Sequence, residues 1–378
     1  MVIMALDHTR DFFTYLTFQA EDLSHTYGAL FFTRFVTHFC APVFSFLAGT
    51  GAFLAVSRGK TISDVSRFFW TRGLWLVFLE LTIAGFAWSF HIPWAFAAVI
   101  WALGWSMVAM ALIVRLPNRW IAVLGITMIA GHNLLDGISP DSFGSFAGLW
   151  TVMHAQGMLW IKQPTVGIFI MYPLVPWVGV MACGYAMGSL LLRPDRKKLL
   201  FRIGLTFTVA FFVLRGINLY GNGTAGYPFS IGPWKAQSSF ALTIISFLNT
   251  QKYPPSLDYL LMTLGPALMV LAWFDGVNPE KAWARVLLVF GRVPMFYYIT
   301  HIYLIHIMAI VAALAFHQSA AWLWHGAMFE QAKPADYGHG LPFIYLMWIT
   351  VLVLLYFPCR WYMNFKRAHR DWIWLSYI

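Results

Sequence analysis

Long apolar stretches, interrupted at short intervals by polar residues, run from one end of the chain to the other. A helix needs about 20 apolar residues, each rising about 1.5 Å, to cross a hydrocarbon core. Stretches near that length predict spans at 1–17, 30–57, 67–90, 94–114, 119–135, 165–192, 199–219, 256–275, 286–315 and 342–359. The expected fold class is therefore all-α: a polytopic integral membrane bundle of about ten transmembrane helices, taken as a single domain over 1–378. The first span is short. Only Met1–Leu6 precede the charged group beginning at Asp7, which predicts a start further upstream or a half-length helix. No charged n-region or small-residue cleavage site marks a signal peptide.

Composition strengthens the membrane reading, with 60% hydrophobic residues, 11% charged residues and a mean hydropathy of +0.67. Soluble domains run nearer about 45–50% apolar and about 25% charged. The net charge of +10 would suit a nucleic-acid partner if it were spread over a surface, but it is not. Of 25 Lys and Arg, 17 fall in five short segments: Arg58/Lys60/Arg67/Arg72, Arg115/Arg119, Arg193/Arg196/Lys197/Lys198/Arg202, Lys281/Arg285 and Arg360/Lys366/Arg367/Arg370. Every second loop is basic, so those loops and both termini are expected to be cytoplasmic. The alternate loops, 18–29, 90–94, 136–164, 220–255 and 316–341, are expected outside, where Glu21, Asp22, Asp136, Asp141, Glu330 and Asp336 lie. Two of them, 136–164 and 220–255, are long and carry Phe143, Phe146, Leu149, Trp150, Tyr227, Pro228, Phe229 and Trp234, which predicts loops packed over the bundle rather than disorder. Cys40, Cys183 and Cys359 lack metal-ligand spacing and read as buried thiols, and no metal is expected.

The chemistry resides in charges that fall within apolar stretches. Each costs roughly 2.5–3.5 kcal/mol to insert, so such groups usually face the bundle interior and mark function. Asp7, Arg10 and Asp11 share one helical face, with His8 beside them. A carboxylate near an imidazole fixes its tautomer and raises its basicity, as a general base requires. Arg34 and His38 are four residues apart, and Pro42 follows one turn later. GHNLLDG places His132, Asn133 and Asp136 at the outer end of the fifth span. Arg215 and Asn218 end the seventh span, and a guanidinium fork suits a phosphate or carboxylate. Tyr297 and His301 lie mid-span, followed by Tyr303 and His306, while Glu80 has no partner that the sequence names. Ser256 and Asp258 read as a helix start after Pro254–Pro255.

MALDHTRDFF, FFTRFVTHFCAPVFSFLAGTGAFL, VIWALGWSMVAMAL, GHNLLDG, YPLVPWVGVMACGYAMG, KYPPSLDYLLMTLGPAL and FGRVPMFYYITHIYLIH resemble bacterial proteins related to heparan-α-glucosaminide N-acetyltransferase over nearly the whole chain. The Asp and Arg-Gly pair that usually precede the first span in such proteins do not occur here. The resemblance implies a transmembrane acyltransferase of a bacterial inner membrane. Such an enzyme moves an acetyl or short acyl group from acetyl-CoA or another acyl-CoA to a sugar amine or hydroxyl on the non-cytoplasmic side. It also implies a histidine near the start of the outer half. His8, His38 and His25 all qualify, with His8 favoured because Asp7 and Asp11 adjoin it. The expected catalytic set is His8, Asp7, His38 and Asp11, and the expected substrate-binding set is Arg34, His132, Asn133, Arg215, Asn218 and His301.

Two other classes compete with this reading. Intramembrane Asp, His and Arg, with Pro42, Pro266 and Pro294 as possible helix breaks, also suit a proton-coupled transporter of a small polar solute. No matching halves are visible in the sequence. A non-catalytic subunit ranks last, because interhelical polar contacts average under about 1 kcal/mol and would be a poor use of so many charges.

Overall fold

The computed structural model is mostly helical and describes residues 1–91, 95–163, 166–223, 230–324, 333–369 and 371–377. Tyr227, Pro228, Phe229 and Glu330 lie outside the described residues. The helices that matter below are α1 (Val2–Phe13), α2 (Gly28–Ser57), α3 (Ile62–Ser89), α4 (Val99–Ile113), α5 (Asn118–Gly131) and α6 (Ala147–Met153). They are followed by α7 (Leu174–Leu192), α8 (Arg196–Ile217), α9 (Phe240–Leu248), α10 (Leu257–Phe274), α11 (Ala282–Arg292), α12 (Pro294–Ala315) and α13 (Leu341–Ala368).

Among the described residues, seven helices are long and apolar enough to cross a membrane: α2, α3, α7, α8, α10, α12 and α13. The chain is a multi-pass membrane protein. The other three expected spans take different forms. α1 has 12 residues and α4 has 15, giving lengths of roughly 18 and 22 Å against a core of about 30 Å. The expected span at 119–135 is followed by Pro140–Met153 at a bend of 112°, and only the bent pair as a whole passes for a span.

Two boundaries differ from the pattern reading. The stretch from Val166 to Ile170 is a strand, and its helix begins at Leu174, after Pro173. The stretch 286–315 divides at Val293, where Pro294 removes a backbone donor and starts a new helix as its first residue. A small three-stranded sheet is also present, a departure from an all-helical chain. In it β3 (Val166–Ile170) pairs parallel with β1 (Ala95–Ala97) and antiparallel with β2 (Gly157–Lys162). Two helix starts follow local rules. Thr61 and Asp64 form a reciprocal cap before α3, and Ser256 accepts from the Tyr259 amide before α10.

The chain forms two compact units. One comprises Met1–Cys40, Thr82–Trp94 and Asn278–Ile378, the other Ala41–Leu81 and Ala95–Val277. In the second unit, helix pairs approach closely at glycines. A Cβ at Gly49 would stand 2.0 Å from the Met181 carbonyl, and one at Gly184 2.0 Å from the Phe46 carbonyl. Thr50 donates to the Gly184 carbonyl across the same contact, at 2.9 Å. Lipid offers no hydrophobic drive between helices, so backbone contact of this kind takes its place.

Glu80 gains the partner that the sequence could not name. It is fully buried in a π-helical turn of α3, and one carboxylate oxygen accepts from the amides of Ile100 and Trp101 at 2.8 and 3.1 Å. Those amides belong to the first turn of α4, whose donors have no intrahelical acceptor. Glu80→Gln keeps an acceptor and should hold thermal stability near wild type. Glu80→Leu should cost about 1–3 kcal/mol, the penalty for stranding buried amides, read as a lower unfolding midpoint in detergent.

Candidate active site

In the first unit, α1 carries Asp7, Arg10 and Asp11 on one face, and α2 carries Arg34 and His38 one turn apart. Arg10 pairs with both Asp7 and Asp11, and Arg34 pairs with Asp7 and, through Nε at 2.7 Å, with Glu21. His38 Nε2 lies 3.6 Å from Glu21. Lys333 completes the set, within electrostatic reach of Asp11 and Arg10. Among the described residues, Asp7, Asp11 and Glu21 thus share the two guanidiniums in one network, with the Lys333 ammonium within electrostatic reach. The backbone favours this arrangement locally: Val36–Phe39 tightens into a 3-10 turn ahead of Pro42, whose ring crowds the carbonyl four residues back.

Two members lie in loops, outside the spanning helices. Burial alone would raise the Glu21 carboxyl, but the Arg34 guanidinium, helped by His38, holds it well below the usual carboxylate range. Burial lowers the Lys333 ammonium to about 8, with Asp11 opposing and Arg10 assisting. The unfolded chain keeps that proton up to about 10.5. Between these values the unfolded state holds one proton more, so this residue makes stability rise with pH from about 8 to 10.5. Melting curves from pH 7.5 to 10.5 should show the wild type gaining on Lys333→Met as pH rises. Parallel curves would place the ammonium in water.

His8 projects beside this network. Its ring meets the edge of Trp88 at 4.7 Å and lies edge to edge with His301, ring centres 4.9 Å apart and planes 19° apart. His301 is fully buried and stacks on Tyr297 on its other side, at 5.0 Å and 6°. The hydrogen bonds order the tautomers. A carbonyl only accepts, so His301 Nδ1–H donates to the Tyr297 carbonyl at 2.9 Å. Neutral His301 then carries its lone pair on Nε2, which lies 2.7 Å from His8 Nδ1. His8 must donate there, and its own lone pair stands on Nε2. A backbone carbonyl thus sets the basic nitrogen of His8 through one intervening ring.

The other candidates stand apart from this chain of contacts. His25 is exposed and pairs with Asp22 at 2.7 Å. Tyr303 donates to the Ile83 carbonyl, and the His306 nitrogens meet the carbonyls of Ala87 and Leu323 at 2.8 Å. In the second unit, Asn133 joins Asp136 to the Leu257 amide at the start of α10, and His132 meets His154. Arg215 is fully buried, and its five N–H donors go to Phe247, Asn222, Gly232, Ser246 and Asn249. The guanidinium ties down the carbonyls that end α9, and Nη1 also lies 3.7 Å from the buried Asp258 carboxylate. Asn218 is equally occupied: in a left-handed turn after α8, it brackets the Trp234 backbone with both side-chain atoms.

Residues 1–218 match the family heparan-alpha-glucosaminide N-acetyltransferase, catalytic. The chain belongs to this family. No curated protein sequence matches it. The matched region includes Asp7, His8, Arg34, His38 and His132. His301 and Lys333 lie beyond it and join His8 and Asp11 only through the fold. Sequence spacing gave no sign of Glu21, Trp88, Lys333 or His154. Each meets its partner across a turn or from a distant segment, and no helical periodicity links them.

Proposed function

We propose that this protein is a transmembrane acetyltransferase that uses His8 as general base, taking acetyl or a short acyl group from acyl-CoA to a sugar amine or hydroxyl. The observation that carries this reading is the 2.7 Å contact between His8 and His301, which gives His8 a defined basic nitrogen in a family of acetyltransferases. The acceptor attacks the thioester carbonyl as its proton passes to His8 Nε2. The imidazolium so formed keeps its Nδ1–H on His301, now as a charge-assisted bond. Collapse of the tetrahedral adduct breaks the C–S bond, and the CoA thiolate recovers the proton from His8. Asp7 and Asp11, already paired with Arg10 and Arg34, are assigned to fix α1 and so to position His8. His38 and Arg34 line the same network and are assigned to hold the acceptor.

The chemistry is assigned to the non-cytoplasmic side. Glu21 and Lys333 come from the two loops, 18–29 and 316–341, that the alternation of basic loops turns outward, and both join the network around Asp7. In this reading the chain is one acyltransferase domain of about ten membrane-crossing or membrane-entering helices, with both termini cytoplasmic, in a bacterial inner membrane. The acyl-CoA, a glycan or amino-sugar acceptor and the bilayer are its partners.

Full-length protein in nanodiscs tests the reading. Thiol release from acetyl-CoA should depend on added glucosamine or a glucosaminyl oligosaccharide. Uptake of a small solute into proteoliposomes without acyl-CoA, and no thiol release, would make the protein a carrier instead.

A further inference from the structure

Outside the acetyl-transfer network, the second unit holds a different cluster: His132 and Asp136 at the outer end of α5, and His154 just after α6. Each offers one ligand atom, and these atoms lie within 4.8 Å of one another. We propose that these three side chains bind a first-row transition dication of the zinc class, tying together the two arms of the bent pair Asn118–Leu135 and Pro140–Met153.

Several observations point to a ligand rather than to a self-contained hydrogen-bond cluster. His132 is 2% exposed and His154 fully buried. Neither His132 ring nitrogen makes a hydrogen bond, and the Pro255 carbonyl lies near it but short of bonding geometry. His154 Nδ1 is likewise buried without a partner. Buried imidazole nitrogens are almost always paired; a metal would take one lone pair from each ring, leaving the remaining His132 N–H to the nearby Pro255 carbonyl. An apolar core would have used Leu or Phe at these positions.

The surroundings of the cluster also resemble those of a metal site. Ligating histidines usually donate their other N–H to a backbone carbonyl, and ligating carboxylates are themselves hydrogen-bonded. His154 Nε2 lies 2.8 Å from the His132 carbonyl, so that nitrogen donates and Nδ1 carries the lone pair. Trp150 stacks on the His154 ring at 5.1 Å and 13°, fixing its plane. Asp136 Oδ2 accepts from the Asn133 amide at 2.8 Å, while Oδ1 faces His154 at 3.5 Å. Asn133 is itself anchored by accepting from the Leu257 amide at 2.9 Å.

Two imidazoles and one carboxylate suit zinc or a neighbouring dication better than calcium or magnesium, which prefer oxygen ligands throughout. Metal bonds of about 2.0–2.2 Å in tetrahedral geometry would set the ligand atoms about 3.4 Å apart. The ligand atoms, within 4.8 Å of one another, would have to draw together to reach that spacing. Three protein ligands leave a coordination position open. The 22-residue separation of His132 from His154 conceals the set from any spacing rule.

Full-length protein, stripped with a chelator and dialysed, is titrated with Zn²⁺ and with Co²⁺. The expected result is about one equivalent of Zn²⁺, a raised unfolding midpoint, and a Co²⁺ visible spectrum of low coordination number. His154→Gln and Asp136→Asn should each weaken Zn²⁺ binding at least tenfold and lose the midpoint shift. Stripped protein that takes up less than a tenth of an equivalent of either ion overturns the proposal. So does wild-type-like Zn²⁺ binding in both variants. If one variant fails to fold, the Co²⁺ spectrum of the other decides.

Discussion

His8→Ala is expected to lower acetyl transfer by about 10²–10⁴-fold in kcat, the usual contribution of a positioned general base. Acetyl-CoA binding should change little, because the substitution removes an interaction made in the transition state. His8→Gly should recover part of its rate when imidazole is added to the medium, which a purely structural histidine would not do. His301 never reaches the substrate in this scheme; it is a positioning residue that acts through His8. His301→Gln retains an acceptor for the His8 Nδ1–H and should stay within about tenfold of wild type. His301→Phe fills the stack but cannot accept, and should fall roughly a hundredfold in kcat. Wild-type turnover in His8→Ala would end the proposed mechanism. Equal losses in the Gln and Phe variants would make the His8–His301 bond incidental.

Arg34→Ala has the largest expected effect on stability. The side chain is 7% exposed and pairs with two carboxylates, Asp7 and Glu21. Its removal leaves both buried without their shared cation, and breaking one partner out of a buried network costs about 3–5 kcal/mol. In a chain of this size that corresponds to a fall of about 4–6 °C in the unfolding midpoint. Arg34→Lys keeps the charge but cannot span both carboxylates with a planar fork, so it should recover only part of the loss. Adding Asp7→Asn to Arg34→Ala should cost less than the sum of the single changes, because each removes the same interaction. A midpoint within 1–2 °C of wild type for Arg34→Ala, against the penalty expected for a buried pair, would mean that water already solvates the network.

Much of the architecture was legible in the order of residues. Apolar length is a local property, and α2, α3, α7, α8, α10, α12 and α13 all fall on predicted stretches. Where prediction and structure part, the cause is tertiary or chemical. Pro294 divides one stretch, and β-pairing with Ala95–Ala97 claims the residues ahead of α7. The face formed by Asp7, Arg10 and Asp11, and the Arg34/His38 pair, were also readable, because 3.6-residue periodicity fixes which side chains share a side.

The partners of those charges were not readable. Glu80 caps a helix twenty residues away, Arg34 reaches a carboxylate on a loop, and His8 meets a histidine 293 positions downstream. Arg215 shows the converse, since sequence alone marked it as an anion site and the fold spends its five donors on carbonyls. The amino-acid order determined that this is a helical membrane protein with charges held inside apolar segments, because hydropathy and helical period act over one or two turns. Which nitrogen of His8 is basic, and which charges neutralise one another, depended on segments distant in sequence packing together. Hydrogen-bond direction and ion pairing exist only once both partners are in place.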